Sequence, residues 1–384
     1  MSRTPRRLVL SAIVSFAGVT AASEARCQSV LDGELRFAPQ WVQYQVHAPA
    51  DETISELAIP VFVTIPAGSR LTVDVGTAYA LAHVTSGDRL SEIRGLTDTQ
   101  IRGNLTLGSD FVVLTAGVSL PTGNASVTLD QLAAAGRIGN DFLGFPISNM
   151  GTGLAATGGI AIARPVGSWS LGIGAAARRS AAYEPFNVPG QSFRYQPGNE
   201  VRARLGADRP VGSGRLALGL TYSAFGRDDA GGSTYNTGDR VIAQGTLTRR
   251  VGTNDLTVAA YNVFRAPGNY ASGDRAGREN IANLFLSLGV HALGTLVEPS
   301  VEVRHWLQSV YPAGVATSGI ARSQTSRMAT VGLRTRVATA WGLSLYPSAG
   351  YTLSGRLATI DETGAPVQAR LTGFRGQLAV RLAQ

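Results

Sequence analysis

Residues Arg215 to Gly226 read RLALGLTYSAFG. Every second position is bulky and apolar: Leu216, Leu218, Leu220 and Tyr222. The positions between them are Ala217, Gly219, Thr221 and Ser223. A period of two marks a β-strand, because successive side chains point to opposite faces. In a soluble sandwich the face turned away from the core carries many charges. Here the second face is small and only weakly polar. The same division recurs at Leu71, Val73 and Val75, at Trp169, Leu171 and Ile173, at Leu284, Leu286 and Leu288, and at Phe374, Leu378 and Val380.

Short turns holding Gly, Pro, Asn or Ser join these strands in pairs: PAGS before Arg70, PVGS before both Trp169 and Gly214, VGTN before Asp255. Between the pairs the connections are long and polar: Ser86–Gly95, Pro121–Met150, Tyr183–Pro197, Arg227–Gly238, Ala266–Arg278, Ser309–Ser323 and Ala358–Pro366. Short turns at one rim and long loops at the other are the rhythm of a transmembrane barrel. Helical periodicity is confined to Val127–Ala135, and no run of 18 apolar residues follows the N-terminal region. In lipid every backbone polar group needs an internal partner, so a helix-poor chain can span only as a closed sheet. The expectation is an all-β, up-and-down antiparallel transmembrane barrel. It has about 16 strands, 14 as the fallback, with a short helical segment in one long loop. Pro39 makes the first strand the weakest, since proline cannot donate to a ladder.

The N-terminus supports export. Arg3, Arg6 and Arg7 precede the mostly apolar run Leu8–Ala22, and small residues follow. Residues 1–25 read as a secretory signal peptide and 26–384 as the barrel. Cys27 is the single cysteine, so no intramolecular disulfide framework exists. The chain has no lysine, and its arginines are spread along strands, which argues against a nucleic-acid partner. The implied location is the outer membrane of a Gram-negative-type bacterium, with membrane lipid, the barrel-insertion machinery and a small solute as partners.

The small-residue face also holds the charges. A charge on the lipid face near the midplane costs about 2–4 kcal/mol. Asp74, Arg102, Arg202, Arg204, Glu298, Glu302, Arg304, Arg334 and Arg336 are therefore assigned to the lumen. Two roles fit them. They can brace the wall by pairing with Glu298, Glu302 and Asp74, or line a path that favours anionic or amphipathic solutes. The Pro121–Met150 connection is unusually apolar, with Leu129, Leu132, Phe142, Leu143 and Phe145. Loops avoid such residues in water. The segment reads either as an inward plug or hydrophobic access site, or as a cap on the rim. Aromatic residues near strand ends, including Trp169, Trp341, Tyr79, Tyr222, Trp306 and Tyr351, suit interfacial belts.

Motifs for other chemistries fail on context. GIGAAA (Gly172–Ala177) lies inside a strand with no crossover helix behind it, so it is no dinucleotide fingerprint. The four histidines form no metal spacing. His305 and Ser300, five residues apart, fall on opposite faces of a strand. Asp228, Asp229 and Asp239 read as residues of a solvated loop rather than cation ligands. No catalytic, cofactor or metal site is assigned, and the chain is expected not to be an enzyme.

The run Gly95–Gly123, GLTDTQIRGNLTLGSDFVVLTAGVSLPTG, carries Gly95, Asp98, Thr99, Gly117, Leu120, Pro121, Thr122 and Gly123 in a G-x-x-D-T … L-P-T-G pattern. It resembles the bacterial outer-membrane transporter-like family associated with the MetA pathway of phenol degradation. The close match covers about 30 residues, and the hairpin rhythm extends it. The resemblance implies a barrel concerned with uptake of aromatic or other hydrophobic compounds, and brings no catalytic residues. The chain departs from many outer-membrane barrels, which finish on an aromatic residue, by ending Leu382-Ala383-Gln384. The function expected is passive passage of small solutes. The alternatives are a non-transporting scaffold or surface-interaction barrel and, further off, an outer-membrane hydrolase.

Overall fold

The computed structural model describes residues 34–48, 51–108, 111–270, 275–292, 295–310, 322–338, 343–360 and 366–383. The expected signal segment, 1–25, and Trp341 lie outside them. So does most of the expected Ser309–Ser323 loop.

Sixteen antiparallel strands form one closed barrel. Strand β1 is Glu34–Phe37 with Gln40–His47, β2 Glu52–Pro66, β3 Leu71–Ser86, and β4 Arg89–Leu96 with Thr99–Leu107. Then follow β5 Val112–Leu120, β6 Ala155–Val166, β7 Trp169–Ser180, β8 Glu200–Val211, β9 Gly214–Phe225 and β10 Arg240–Val251. The circuit is completed by β11 Asn254–Arg265, β12 Glu279–Ala292, β13 Thr295–Val310, β14 Arg322–Ala338, β15 Leu343–Ile360 and β16 Pro366–Ala383. Closure is made by β16 against β1, from Glu34 opposite Ala383 to His47 opposite Arg370. A closed ladder leaves no edge strand unpaired, as a membrane requires. Among the described residues no helix is long and apolar enough to cross a membrane.

Two strands are broken without being lost. At Pro39 the missing donor interrupts β1, yet the proline carbonyl still accepts from Leu378 N–H at 3.0 Å, and Ala38 N–H reaches Pro60 at 3.3 Å. At Thr97-Asp98 β4 kinks, and Thr97 N–H holds the ladder to Ala78 at 2.7 Å.

The alternation changes sign along the tall side of the barrel. Across β6–β12 the outward side chains, such as Leu171, Leu205, Leu218, Leu220 and Leu284, are apolar and exposed. On β1–β4 and β14–β16 the same holds only up to a level marked by Trp41, Tyr79, Tyr351 and Phe374. The rings of Trp41 and Phe374 meet there at 5.8 Å. Beyond that level the outward residues are polar, as in His83 bonded to Glu92 at 2.8 Å. The inward ones are apolar and buried: Val46, Ile54, Val84, Ile93, Leu357 and Leu371. An aromatic ring prefers the membrane interface, so this inversion marks where the wall leaves lipid for water.

That inversion corrects one expected loop. Ser86–Gly95 is mostly strand: β3 runs to Ser86 and β4 starts at Arg89. Its outward polar residues imitate a solvated loop. Of the expected Ala358–Pro366 loop, 361–365 lie outside the described residues, β15 running to Ile360 and β16 starting at Pro366. Trp306 is corrected too. It points inward and stacks on Phe142, ring centroids 6.0 Å apart and planes at 16°, rather than joining an outer belt.

The helix lies one turn later than its periodicity suggested. A 3-10 turn, Leu129–Gln131, leads into α1, Leu132–Ile138. A capping box starts it, with Gln131 accepting from Thr128 N–H at 3.1 Å.

Candidate functional site: the barrel lumen

The connection between β5 and β6 enters the barrel at its long-loop end. Phe142, Leu143, Phe145, Met150, Ala134 and Ile138 are buried in one cluster with Tyr44, Ile54, Val84, Ile93, Met328, Leu357 and Leu371 of the wall. Burying each large side chain contributes roughly 1.5–3 kcal/mol, more than the 0.5–1.5 kcal/mol net of a typical hydrogen bond. Apolar packing is therefore the main hold. Of the five apolar residues singled out in the sequence, Phe142, Leu143 and Phe145 meet this core. Leu129 and Leu132 do not, being 65% and 40% exposed. They stand on the 3-10 turn and the first turn of α1, whose buried face is Ala134 and Ile138.

Polar groups fix the register of this segment. Tyr44 Oη donates to the Leu143 carbonyl at 3.0 Å, and Arg304 Nη1 to the Phe142 carbonyl at 2.8 Å. Ile147 N–H donates to Glu56 Oε1 at 2.9 Å. Ser91 Oγ donates to the Asp130 carbonyl at 2.5 Å and accepts from Ala134 N–H at 3.2 Å. Arg137 pairs with Glu52 of β2 at 2.6 Å, and Asp141 with Arg265 of β11 at 3.5 Å. Those strands lie on well-separated arcs of the wall, so the segment bridges the lumen.

The signature run turns out to be its clasp. Asp98, at the kink in β4, accepts from Gly123 N–H at 3.2 Å and from Thr152 N–H at 2.6 Å. Thr122 Oγ1 accepts from Thr99 N–H at 2.8 Å and donates to the Thr97 carbonyl at 3.0 Å. Both ends of the inserted segment are thus tied to one point on the wall. Gly123 must be glycine, because a Cβ there would lie 2.0 Å from the Met150 carbonyl oxygen. The signature pattern had set Asp98 and Thr122 in one motif, but not their joint hold on the inserted segment.

Beneath the segment lies an ion cluster. Glu302 receives Arg304 at 2.9 Å, Arg375 at 2.7 Å and Asn283 Nδ2 at 2.6 Å. Glu298 pairs with Arg334, and Arg202 with Glu200 at 2.6 Å. Arg336 lies over the Tyr346 ring, 5.9 Å from its centroid, near the short-turn rim. Asp74 departs from the expected pairing. It sits opposite Arg102 in the ladder, but its oxygens accept from Thr64 at 2.9 Å and Asn104 at 3.0 Å. Arg102 forms no ion pair among the described residues.

Three arginines of the wall stand among small neighbours. Arg102 is registered with Gly117, Arg202 with Ala176 and Ser223, and Arg204 with Gly174 and Thr221. Small neighbours leave the long arginines room to reach into the lumen. None of the hydrogen bonds and ion pairs described for Leu129–Met150 goes to β5–β10.

At the long-loop rim, Tyr195–Gln196, Asp228–Ala230 and Ser233–Tyr235 make a small sheet. Tyr195 packs edge-on against Tyr183 at 5.5 Å and stacks on Tyr235 at 6.4 Å. Burial pushes the Asp228 carboxyl above its ordinary value, although Gly198 N–H donates to it at 2.6 Å. Asp229 accepts from Gly232 N–H at 2.9 Å and Asp239 from Tyr222 Oη at 2.5 Å, so these aspartates order loops. The β7–β8 connection, which carries Tyr195, is joined to the inserted segment through Val127 N–H and the Pro185 carbonyl at 2.9 Å.

These features define a sixteen-stranded, lipid-facing β-barrel with an internal constriction. No protein-family model and no curated protein matches the sequence. Among solved structures the chain is similar to an outer membrane channel from Pseudomonas putida F1, with 12% identity and a TM-score of 0.40 over 95% of this chain and 100% of that one. It is also similar to a Pseudomonas aeruginosa FadL homologue, with 9% identity and a TM-score of 0.44 over 91% of this chain and 90% of that one. A third is OccK7 of Pseudomonas aeruginosa, with 9% identity and a TM-score of 0.44 over 92% and 99% of the two chains.

Proposed function

We propose that the protein is a non-catalytic outer-membrane channel for passive entry of small solutes. The β5–β6 segment serves as its constriction. The observation that carries this reading is the arc of wall at β8, where Arg202 and Arg204 are registered with Gly, Ala, Ser and Thr, on a strand to which none of the bonds described for Leu129–Met150 runs. A polar, water-lined arc with excess guanidinium lowers the barrier for anions. The resemblance carried by Gly95–Gly123 points to aromatic or other hydrophobic solutes. The short-turn rim then faces the periplasm, and insertion follows export and signal cleavage.

Planar-bilayer recording tests this. The expected result is a small conductance whose reversal potential favours anions, and a rise on deleting Ser126–Pro146. Silence from both wild type and deletion would refute the channel. A second reading, surface interaction through the loops, is favoured by Phe186 and Phe193, which stay exposed on the rim in contact at 5.7 Å. It predicts the silent outcome.

A further inference from the structure

The outward wall carries a second feature, unrelated to the lumen. A groove of about 730 Å³ crosses β6–β10, walled by Ile162, Leu171, Ile173, Leu205, Leu218 and Leu220. It exists because Ala207 and Ala243, both lining it, are small where their neighbours are leucines. Arg164 lines one end.

Two arginines flank that end on the lipid side. Arg164 shares the alternation phase of Ile162, and Arg209 that of Leu205 and Ala207. Both are exposed and both lie within three residues of a strand end, β6 ending at Val166 and β8 at Val211. An outward arginine costs about 2–4 kcal/mol at the midplane and about 0–1 kcal/mol near the interface. Their place is therefore the headgroup level. Each lies over an aromatic ring: Arg164 is 4.7 Å from the Phe111 centroid and Arg209 5.4 Å from that of Trp169. Neither forms an ion pair among the described residues. A guanidinium placed over a ring still has N–H donors for other partners, and those groups match phosphate oxygens.

We propose that this surface binds one anionic phospholipid of the leaflet at the short-turn rim. Its phosphate sits between Arg164 and Arg209, and one acyl chain lies in the groove. Charge at the headgroup level and an apolar trough running from it match the two halves of that molecule. Arg249, exposed in the outward phase of β10 near the same rim, stands four strands from Arg164 and serves as the control.

The test uses the folded full chain in vesicles of phosphatidylcholine mixed with phosphatidylglycerol, followed by native mass spectrometry. Folding of each variant is checked by heat-modifiable gel migration. Wild type is expected to retain one phosphatidylglycerol per chain. Arg164→Gln with Arg209→Gln should lower retention at least about tenfold, equivalent to 1.4 kcal/mol. Ala207→Phe, which fills the trough without touching charge, should do the same, while Arg249→Gln should not. Equal retention by all variants overturns the proposal. So does retention of phosphatidylcholine as strongly as phosphatidylglycerol, or a second copy of the chain occupying the face.

Discussion

Arg304 of β13 is the point where the wall grips the inserted segment. It gives Nη1 to the Phe142 carbonyl at 2.8 Å and Nη2 to Glu302 at 2.9 Å, and it is only 8% exposed. One guanidinium thus ties the lumen ion cluster to the constriction.

Replacing Arg304 by Met should loosen that grip. Glu302 keeps Arg375, but the Phe142 carbonyl loses its donor. Breaking a buried pair from one side costs about 3–5 kcal/mol, and the retained partner places the loss at the lower end. Single-channel conductance should rise and become noisier, while the barrel still migrates as folded.

Asp98→Ala opens the clasp. The N–H groups of Gly123 and Thr152 lose their acceptor, at about 1–3 kcal/mol each. Limited proteolysis between Ser126 and Pro146 should speed up. Asn keeps one acceptor and should restore part of the protection. Unchanged cleavage would show that the clasp does not hold the segment.

Glu56 is fully buried, with Oε1 bonded to Ile147 N–H and Oε2 without a partner. No cation pairs with it among the described residues. Gln preserves the acceptor for Ile147 and removes the burden of an unpaired acid, so Glu56→Gln should hold or raise the melting temperature. Glu56→Ala leaves a void and an orphaned N–H, and should lower stability by about 1–3 kcal/mol. A Gln variant less stable than Ala would contradict this.

The rim loops should respond to pH through Asp228. Burial raises its carboxyl above the ordinary 3.8, so the ordered loop holds the proton more tightly than the open loop does. Its contribution to loop order is complete below that ordinary value. It is lost as pH rises through the raised one. Hydrogen exchange in 226–239 should therefore accelerate from acid toward neutral pH, beyond the intrinsic change. Asp228→Asn should flatten the trend.

The sequence by itself determined the closed barrel. A period of two with one greasy face needs no distant contact to be read, because each strand repeats it and lipid permits no unpaired edge. Leu216, Leu218 and Leu220 declare their face alone. The shared face of Arg202 and Arg204, and that of Glu302 and Arg304, follows from the same parity. What only the tertiary structure decided depends on residues far apart in sequence. Asp74 turns from Arg102 to Thr64 and Asn104 through side chains on neighbouring strands. Asp98 closes on Thr152, 54 residues away, and Arg304 on Phe142, 162 residues away. The polarity inversion above Trp41 and Phe374 was hidden as well. Val84 and Ile93 face inward there because the inserted segment shelters them, and no strand carries in its own residues the record of what will pack against it.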